Sequence, residues 1–218
     1  EEAGHTDGKK KISNQEFFDR VADDVAILLS EMNDFGFVYR VRFYNKTAQG
    51  LSSCSLAKEV VSFFGQHGRA WDRMKLIRSR TVAGDQDFGE QLLNRLRRWV
   101  FRKFVNGRDL TELRSMRRRF KTEPTKKVEL RNVRNDNGGL SDVEFTIQFL
   151  QLLVGNEIPA LKSGSFFEAI RELASNDILS DQERIILENN YSLLRGISHQ
   201  LQLHSDVQAE MLPRANED

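Results

Sequence analysis

The stretch from Gly138 to Val154 reads GGLSDVEFTIQFLQLLV. Its glycine pair is followed by Ser141 and Glu144, which have the spacing of a capping box at the start of a helix. Mostly apolar residues then continue to the end of the stretch, interrupted by Gln148 and Gln151. So short an apolar run does not span a bilayer. The pattern therefore predicts a helix over residues 141–154.

The same start signal recurs on both sides of this stretch. Three further pairs share the spacing: Ser13/Glu16, Ser165/Glu168 and Ser180/Glu183. Each pair precedes a segment with apolar residues at helical spacing. We therefore expect a helix after Ser13 and helices over residues 165–175 and about 180–204. The chain has only 3 prolines, and so few helix breakers favour long helices.

The middle of the chain also carries helical patterns. From Asp85 onward, apolar residues recur at helical spacing as far as Phe104, which predicts one long amphipathic helix. Either Asp109 or Thr111 is expected to cap the short helix that follows. The whole chain after residue 85 is therefore predicted to be helical.

One segment alternates instead. Residues 37–44 read FVYRVRFY, and this strict alternation of side chains is typical of a β-strand. It is the only segment for which a strand is firmly predicted, and it precedes the helical part. We therefore expect two domains, residues 1–85 with the strand and residues 86–218 as an all-α helical bundle.

Composition indicates a globular protein of a reducing compartment. Hydrophobic residues make up 39% and charged residues 30% of the chain, and the formal net charge is +1. This balance suggests no polyanionic partner, so we expect no nucleic-acid partner. Cys54 is the only cysteine and excludes an intramolecular disulfide. With no signal-peptide core near the start, a cytoplasmic protein without a membrane partner is expected.

Four motifs follow one another along the chain, and their order and spacing resemble those of a known protein family. The first is Tyr39-Arg40-Val41 with a glycine-containing loop, and the second is WDRMKLIRSRTVAGD at residues 71–85. The third is GGLSDVEFTIQ at residues 138–148, close to GGxxDIEFxxQ. The fourth begins with YSLLR at Tyr191 and continues to Leu212-Pro213. Taken together, they resemble the glutamine synthetase adenylyltransferase family.

This resemblance implies a polymerase-β-like nucleotidyltransferase module followed by a helical domain. Family members transfer AMP from ATP to a tyrosine of glutamine synthetase, or remove it by phosphorolysis. Two divalent cations bound by aspartates support such chemistry. Mg²⁺ and ATP are therefore expected for an intact member. Glutamine synthetase or a PII-type signalling protein is the implied partner.

The metal-binding part of the family pattern is incomplete in this chain. No Gly-Ser…Asp-x-Asp segment precedes the strand, and Arg42 stands where the third aspartate is expected. An arginine does not bind a cation. We therefore expect a mainly α fold with a remnant of the α/β module, no catalytic or metal residues, no bound cofactor and no turnover by this chain. The alternative is a non-catalytic helical interaction or regulatory module.

The motifs supply seven candidates for residues near a nucleotide or phosphate: Arg73, Arg78, Arg80, Gly138, Gly139, Asp142 and Glu144. Two positions apart on a helix, Asp142 and Glu144 point in different directions, so a capping and helix-dipole role is the favoured interpretation. The alternative is that the helix N-terminus behind the glycine pair approaches a phosphate. For the three arginines, two roles remain open: phosphate contact, and pairing with carboxylates that docks the helical domain on the strand module.

A basic segment extends from Arg95 to Lys121. It contains 11 lysines and arginines against two acids, Asp109 and Glu112. A solvated helix face is the favoured interpretation. A strip that binds a polyanion, such as a nucleotide, RNA or an acidic protein surface, is the alternative.

Overall fold

The computed structural model describes residues 4–32, 39, 41, 43, 51–120, 131–205 and 211–212. Contacts divide the chain into two compact units, Glu1–His67 and Gly68–Asp218. The helices found in the described residues are α1 (Asn14–Ser30), α2 (Ala57–His67), α3 (Ala70–Ile77), α4 (Gln86–Val100), α5 (Gly107–Phe120), α6 (Leu140–Val154), α7 (Phe166–Ser175) and α8 (Asp181–Ser205). A short 3-10 helix, Pro159–Lys162, lies between α6 and α7.

The mainly α character is confirmed. In the part of the chain that the structure describes, extended pairing is limited to two isolated bridges, His5 with Ser13 and Asn132 with Met211. The strand predicted over residues 37–44 lies outside the described residues except at positions 39, 41 and 43. The nucleotidyltransferase remnant and the boundary after residue 85 therefore stay predictions.

The first unit contains α1 and α2. The Ser13 hydroxyl accepts the backbone N–H of Glu16 at 3.2 Å, which confirms the predicted start of α1. Further along α1, Asp19 accepts the N–H of Cys54 at 2.7 Å and Asp23 accepts the hydroxyl of Ser53 at 2.6 Å. These two bonds fix the segment before α2 against α1.

The second unit is built around α6, the helix formed by the stretch that opened the sequence analysis. One side of α6 packs with the 3-10 helix, α7 and α8 around Ile147 and Leu161. Leu152, farther along α6, belongs to a second cluster with α3, α4 and α5. Because α6 contributes to both clusters, it connects the two halves of this core.

Local capping explains where most of these helices begin. Asp85 accepts the N–H of Phe88 at 3.0 Å, as predicted for the start of α4. Ser165 accepts the N–H of the third residue of α7. Ser180 and Glu183 form both bonds of a capping box, at 3.2 and 2.8 Å, so that prediction is confirmed.

Two predicted boundaries are wrong. Neither Asp109 nor Thr111 caps α5, because the Asn106 side chain accepts the N–H of Asp109 at 2.8 Å and starts the helix earlier. The helix predicted to continue to Phe104 ends at Val100. The Val100 carbonyl accepts the guanidinium Nε–H of Arg73 at 2.7 Å. Phe104 therefore lies beyond α4, with 70% of its surface exposed.

Candidate functional site

The predicted capping box of Ser141 and Glu144 is absent. The helix α6 starts one residue earlier, with Gly139 as its cap. The N–H groups of Leu140 and Ser141 donate to the carbonyls of residues 133 and 134, at 3.0 and 2.9 Å. Because the backbone itself satisfies these donors, the Glu144 carboxylate is available for other contacts.

The glycine pair lies in a tight turn whose donors are all used within the protein. Gly138 has φ +81°, a conformation that glycine adopts without strain. Its N–H donates to the Asp142 carboxylate at 3.0 Å, and the N–H of Gly139 donates to the Asp136 carbonyl at 2.9 Å. A phosphate at this helix N-terminus would have to displace these bonds, so the phosphate-proximal role of both glycines stays a prediction.

We expect Gly139→Ala to lower the free energy of unfolding by about 1–3 kcal/mol through overpacking. A Cβ at this position would lie 2.6 Å from the Val133 carbonyl oxygen and 2.8 Å from that of Arg134. Both are backbone atoms, so no side-chain rotation can relieve the contact. Urea unfolding followed by tryptophan fluorescence measures the change.

Gly196→Ala is the matched control for this substitution. Gly196 lies within α8, and a Cβ there would have no atom within 4 Å. Alanine should leave the protein unchanged or stabilise it by up to about 1 kcal/mol, because glycine is a poor helix former. Equal losses in both variants would contradict the close approach at Gly139.

Asp142 and Glu144 point to different neighbours, as their spacing predicts. Asp142 pairs with Arg117 of α5 at 2.5 Å. Glu144 pairs with Arg78 at 3.1 Å and accepts the Tyr191 hydroxyl at 3.0 Å. We call Arg78, Glu144 and Tyr191 the motif cluster, because each comes from a different sequence motif. It joins the end of α3 to α6 and α8.

The motif cluster is half-buried, and within it the positive charge of Arg78 is balanced by the negative charge of Glu144. Burial lowers the pKa of Arg78, but Glu144 and the Tyr191 hydroxyl outweigh it, so the pKa is raised overall. Burial, followed by the charge of Glu144, raises the pKa of Tyr191. The Phe166 ring stacks on Tyr191 with centroids 3.7 Å apart. Arg78 therefore stays charged and Tyr191 stays protonated at neutral pH.

Arg73 belongs to a second group, which we call the buried ion cluster: Arg73, Arg102 and Asp109. Arg73 is 0% exposed, and its Nη1 lies 3.3 Å from the Asp109 carboxylate. Arg102, at 2.6 Å, contacts the same carboxylate from the solvent side. Burial, followed by the charge of Arg102, lowers the pKa of Arg73 to about 10. Arg73 is thus charged at neutral pH and paired internally.

The structure therefore separates the three candidate arginines. Two of them, Arg73 and Arg78, pair with carboxylates inside the second unit. Arg80 is exposed, and its nearness to phosphate stays a prediction. Arg73 and Arg78 thus pair with carboxylates between helices of one unit, and docking of the helical domain on the strand module stays a prediction.

Two residues with buried contacts are not among the seven predicted candidates. The sequence predicts Asp109 as a possible helix cap, although it is one of two acids in a strongly basic segment. Gln151 interrupts the apolar run of α6, yet it is 3% exposed and hydrogen-bonded. For both residues the available signal is a side chain that differs from its surroundings: an acid in a basic segment and an amide in an apolar run.

Within the described ranges, the chain has no candidate metal site and no candidate membrane span. No group of three or more histidine, cysteine, aspartate or glutamate side chains is placed to bind a metal ion among those residues. No helix found in them combines the length and apolarity that crossing a membrane requires.

Comparison with known proteins covers both halves of the chain. The family model for glutamate-ammonia ligase adenylyltransferase matches residues 1–95. The model for GlnD PII-uridylyltransferase matches residues 110–218. The motif cluster spans the two matched segments, since Arg78 lies in the first and the other two residues lie in the second.

Individual relatives match almost the entire chain. Bifunctional glutamine synthetase adenylyltransferase/adenylyl-removing enzymes from Thioalkalivibrio sulfidiphilus and Pseudomonas aeruginosa are each 31% identical, over 98% and 97% of this chain and 22% of their own length. The enzyme from Aromatoleum aromaticum is 31% identical over 100% of this chain and 23% of its own length. The chain thus spans just over a fifth of these relatives, and it belongs to the glutamine synthetase adenylyltransferase family.

Proposed function

We propose that this chain is a helical, non-catalytic part of a glutamine synthetase adenylyltransferase, attached to a remnant nucleotidyltransferase module. In this role it supports AMP transfer from ATP to a tyrosine of glutamine synthetase in the cytoplasm and does not turn over by itself. Its partners are glutamine synthetase or a PII-type protein.

The pairing of motif residues with one another carries this proposal. Charged side chains of two motifs form ion pairs between helices of the second unit: Arg78 pairs with Glu144, and Asp142 pairs with Arg117, which lies outside the motifs. These pairs connect the end of α3 and α5 to α6, and the hydrogen bond from the Tyr191 hydroxyl to Glu144 adds α8. The motifs are therefore explained by the packing of a rigid support and need no reaction at these residues.

Asp142 and Glu144 do not form a Mg²⁺ site. Mg²⁺ requires carboxylate or other oxygen ligands that converge in an octahedron. Asp142 and Glu144 diverge, and an arginine already neutralises each of them. We therefore assign Mg²⁺ and ATP to the intact protein and derive no step of adenylyl transfer from these side chains.

A second candidate function is a module that binds a protein partner. Apolar residues of α8 are exposed at Ile185, Ile186 and Leu193, by 48%, 49% and 62%. Contiguous exposed apolar side chains mark interaction surfaces in many proteins. This observation favours docking on glutamine synthetase or a PII-type protein, and the docking role is compatible with a non-catalytic chain.

The direct test is adenylyl transfer by the purified chain. Incubated with glutamine synthetase and Mg-ATP, it should leave the mass of the glutamine synthetase subunit unchanged in intact-protein mass spectrometry. The full-length enzyme from Pseudomonas aeruginosa serves as the positive control. A subunit carrying one added AMP on tyrosine after incubation with this chain would refute the non-catalytic assignment.

The same samples separate the two candidate functions. Binding of the chain to immobilised glutamine synthetase, with no AMP transferred, supports the interaction module. Without such binding, the chain is a support for other parts of the protein. Ile186→Glu should abolish docking through α8, and Ser192→Glu on the same helix provides a control with one introduced carboxylate.

A further inference from the structure

A basic groove lies where the end of α4 meets the segment between α6 and α7. It has a volume of about 760 Å³, and we call it the basic groove. The side chains that matter for its chemistry are Arg97, Arg98, Arg102, Lys103, Lys162 and Phe101. Five of these six are cations, and no carboxylate lines the groove. Its size is within the range of ordinary ligand sites, ~300–1,000 Å³.

The groove carries a surplus of positive charge. In the described residues, Arg98, Lys103 and Lys162 have no carboxylate within ion-pair distance. Arg97 is neutralised by Glu90 at 3.2 Å. Arg102 shares its single carboxylate with a second arginine, so the buried ion cluster keeps one positive charge.

The ends of two helices do not account for this surplus. Both α4 and α6 end near the groove, at Val100 and Val154. Each C-terminus carries about half a negative charge, so together they offset about one cation. The positive charge of the groove is larger than this, because three cationic side chains lack a carboxylate and the buried ion cluster adds one more positive charge. A solvated helix face also does not explain why Lys162 converges on residues of α4.

The lining favours a phosphate chain over a nucleobase or an apolar ligand. Arginine guanidinium groups bind phosphate oxygens in pairs, and lysine adds a mobile point charge. The only ring in the lining is Phe101, which is 3% exposed and thus offers no face for stacking. Asn94 and Asn156 add neutral side-chain amides to the lining.

We propose that the basic groove binds a polyphosphate group, either inorganic or the phosphate tail of a nucleotide. This binding site is independent of the proposed function, since it requires neither AMP transfer nor docking on glutamine synthetase. It uses four cations of the basic segment and adds Lys162 from a segment that sequence alone does not connect with them.

Calorimetric titration of the 218-residue chain with sodium tripolyphosphate at low ionic strength tests the groove. Arg98→Glu and Lys162→Glu should each weaken binding about tenfold or more, since each removes a charge-assisted contact and adds repulsion. Arg95→Glu, on α4 but outside the lining, changes the net charge equally and should stay within about twofold. Circular dichroism confirms that each variant is folded. If a glutamate variant unfolds, the single variant Arg98→Gln takes its place, with Arg95→Gln as its control.

ATP and a single-stranded oligonucleotide complete the experiment. ATP should bind with a similar affinity and lose it in Arg98→Glu, because the groove contacts only the phosphate tail. Binding of ATP that Arg98→Glu leaves intact, while tripolyphosphate does not bind, would overturn the proposal. It would also be overturned if Arg95→Glu lost as much affinity, or if only the oligonucleotide bound.

Discussion

Asp109→Ala is expected to lower the free energy of unfolding by about 3–5 kcal/mol, the usual cost of leaving a buried charge without its partner. Arg73 is completely buried, and its pKa of about 10 keeps it protonated at neutral pH. Its Nη2 already has no hydrogen-bond partner in the described structure. Without Asp109, the positive charges of Arg73 and Arg102 face each other with nothing between them.

Urea unfolding followed by tryptophan fluorescence measures this loss in the relevant unit. Both tryptophans, Trp71 and Trp99, pack against the cluster formed by α3, α4 and α5. Asp181→Ala is the matched control, because its side chain is 86% exposed in a pair with Arg184. An exposed pair contributes at most about 1 kcal/mol.

A double variant separates charge from packing. Arg73→Met with Asp109→Leu removes both charges and replaces them with apolar side chains, which often restores stability at such sites. We expect the double variant to be more stable than Asp109→Ala. If both variants lose the same amount, packing rather than the unpaired charge determines the cost.

Short-range signals made most helix starts predictable. A cap at Ser13, Asp85 or Ser180 involves atoms only three residues apart, so the sequence contains the complete interaction. Ser141 has the same pattern and does not cap. There the donors of α6 are satisfied by carbonyls of residues 133 and 134, which only the folded turn brings into place.

The site itself depends on contacts that sequence spacing does not reveal. Glu144 meets Tyr191 across 47 positions, and Arg73 meets Asp109 across 36. The motifs select Arg73, Arg78 and Glu144 as residues near a nucleotide or phosphate, and that role stays a prediction, while the structure shows all three in ion pairs. Their partners follow from helix packing, in which a buried charge must find an opposite charge.

Gln151 offers the second large effect, because it holds the 3-10 helix against α6. Its side-chain amide donates to the Leu161 carbonyl at 2.7 Å and to the Ser163 carbonyl at 2.9 Å. Gln151→Leu fits a similar volume but leaves both carbonyls without this donor. Each buried carbonyl left without a donor costs about 1–3 kcal/mol, and burial of the apolar leucine side chain offsets part of this cost. We therefore expect the free energy of unfolding, measured with urea, to fall by about 2–4 kcal/mol.

Gln148→Leu, one turn earlier on α6, makes the same chemical change at a half-buried position. It should cost about 0.5 kcal/mol or less, as is usual where no buried partner is lost. The comparison decides why glutamine interrupts the apolar run. A large loss for Gln151 alone means that the amide ties the chain between α6 and α7 to the core. Similar small losses in both variants would mean that water or backbone rearrangement replaces the amide, and that apolar packing around Leu161 suffices to hold the 3-10 helix.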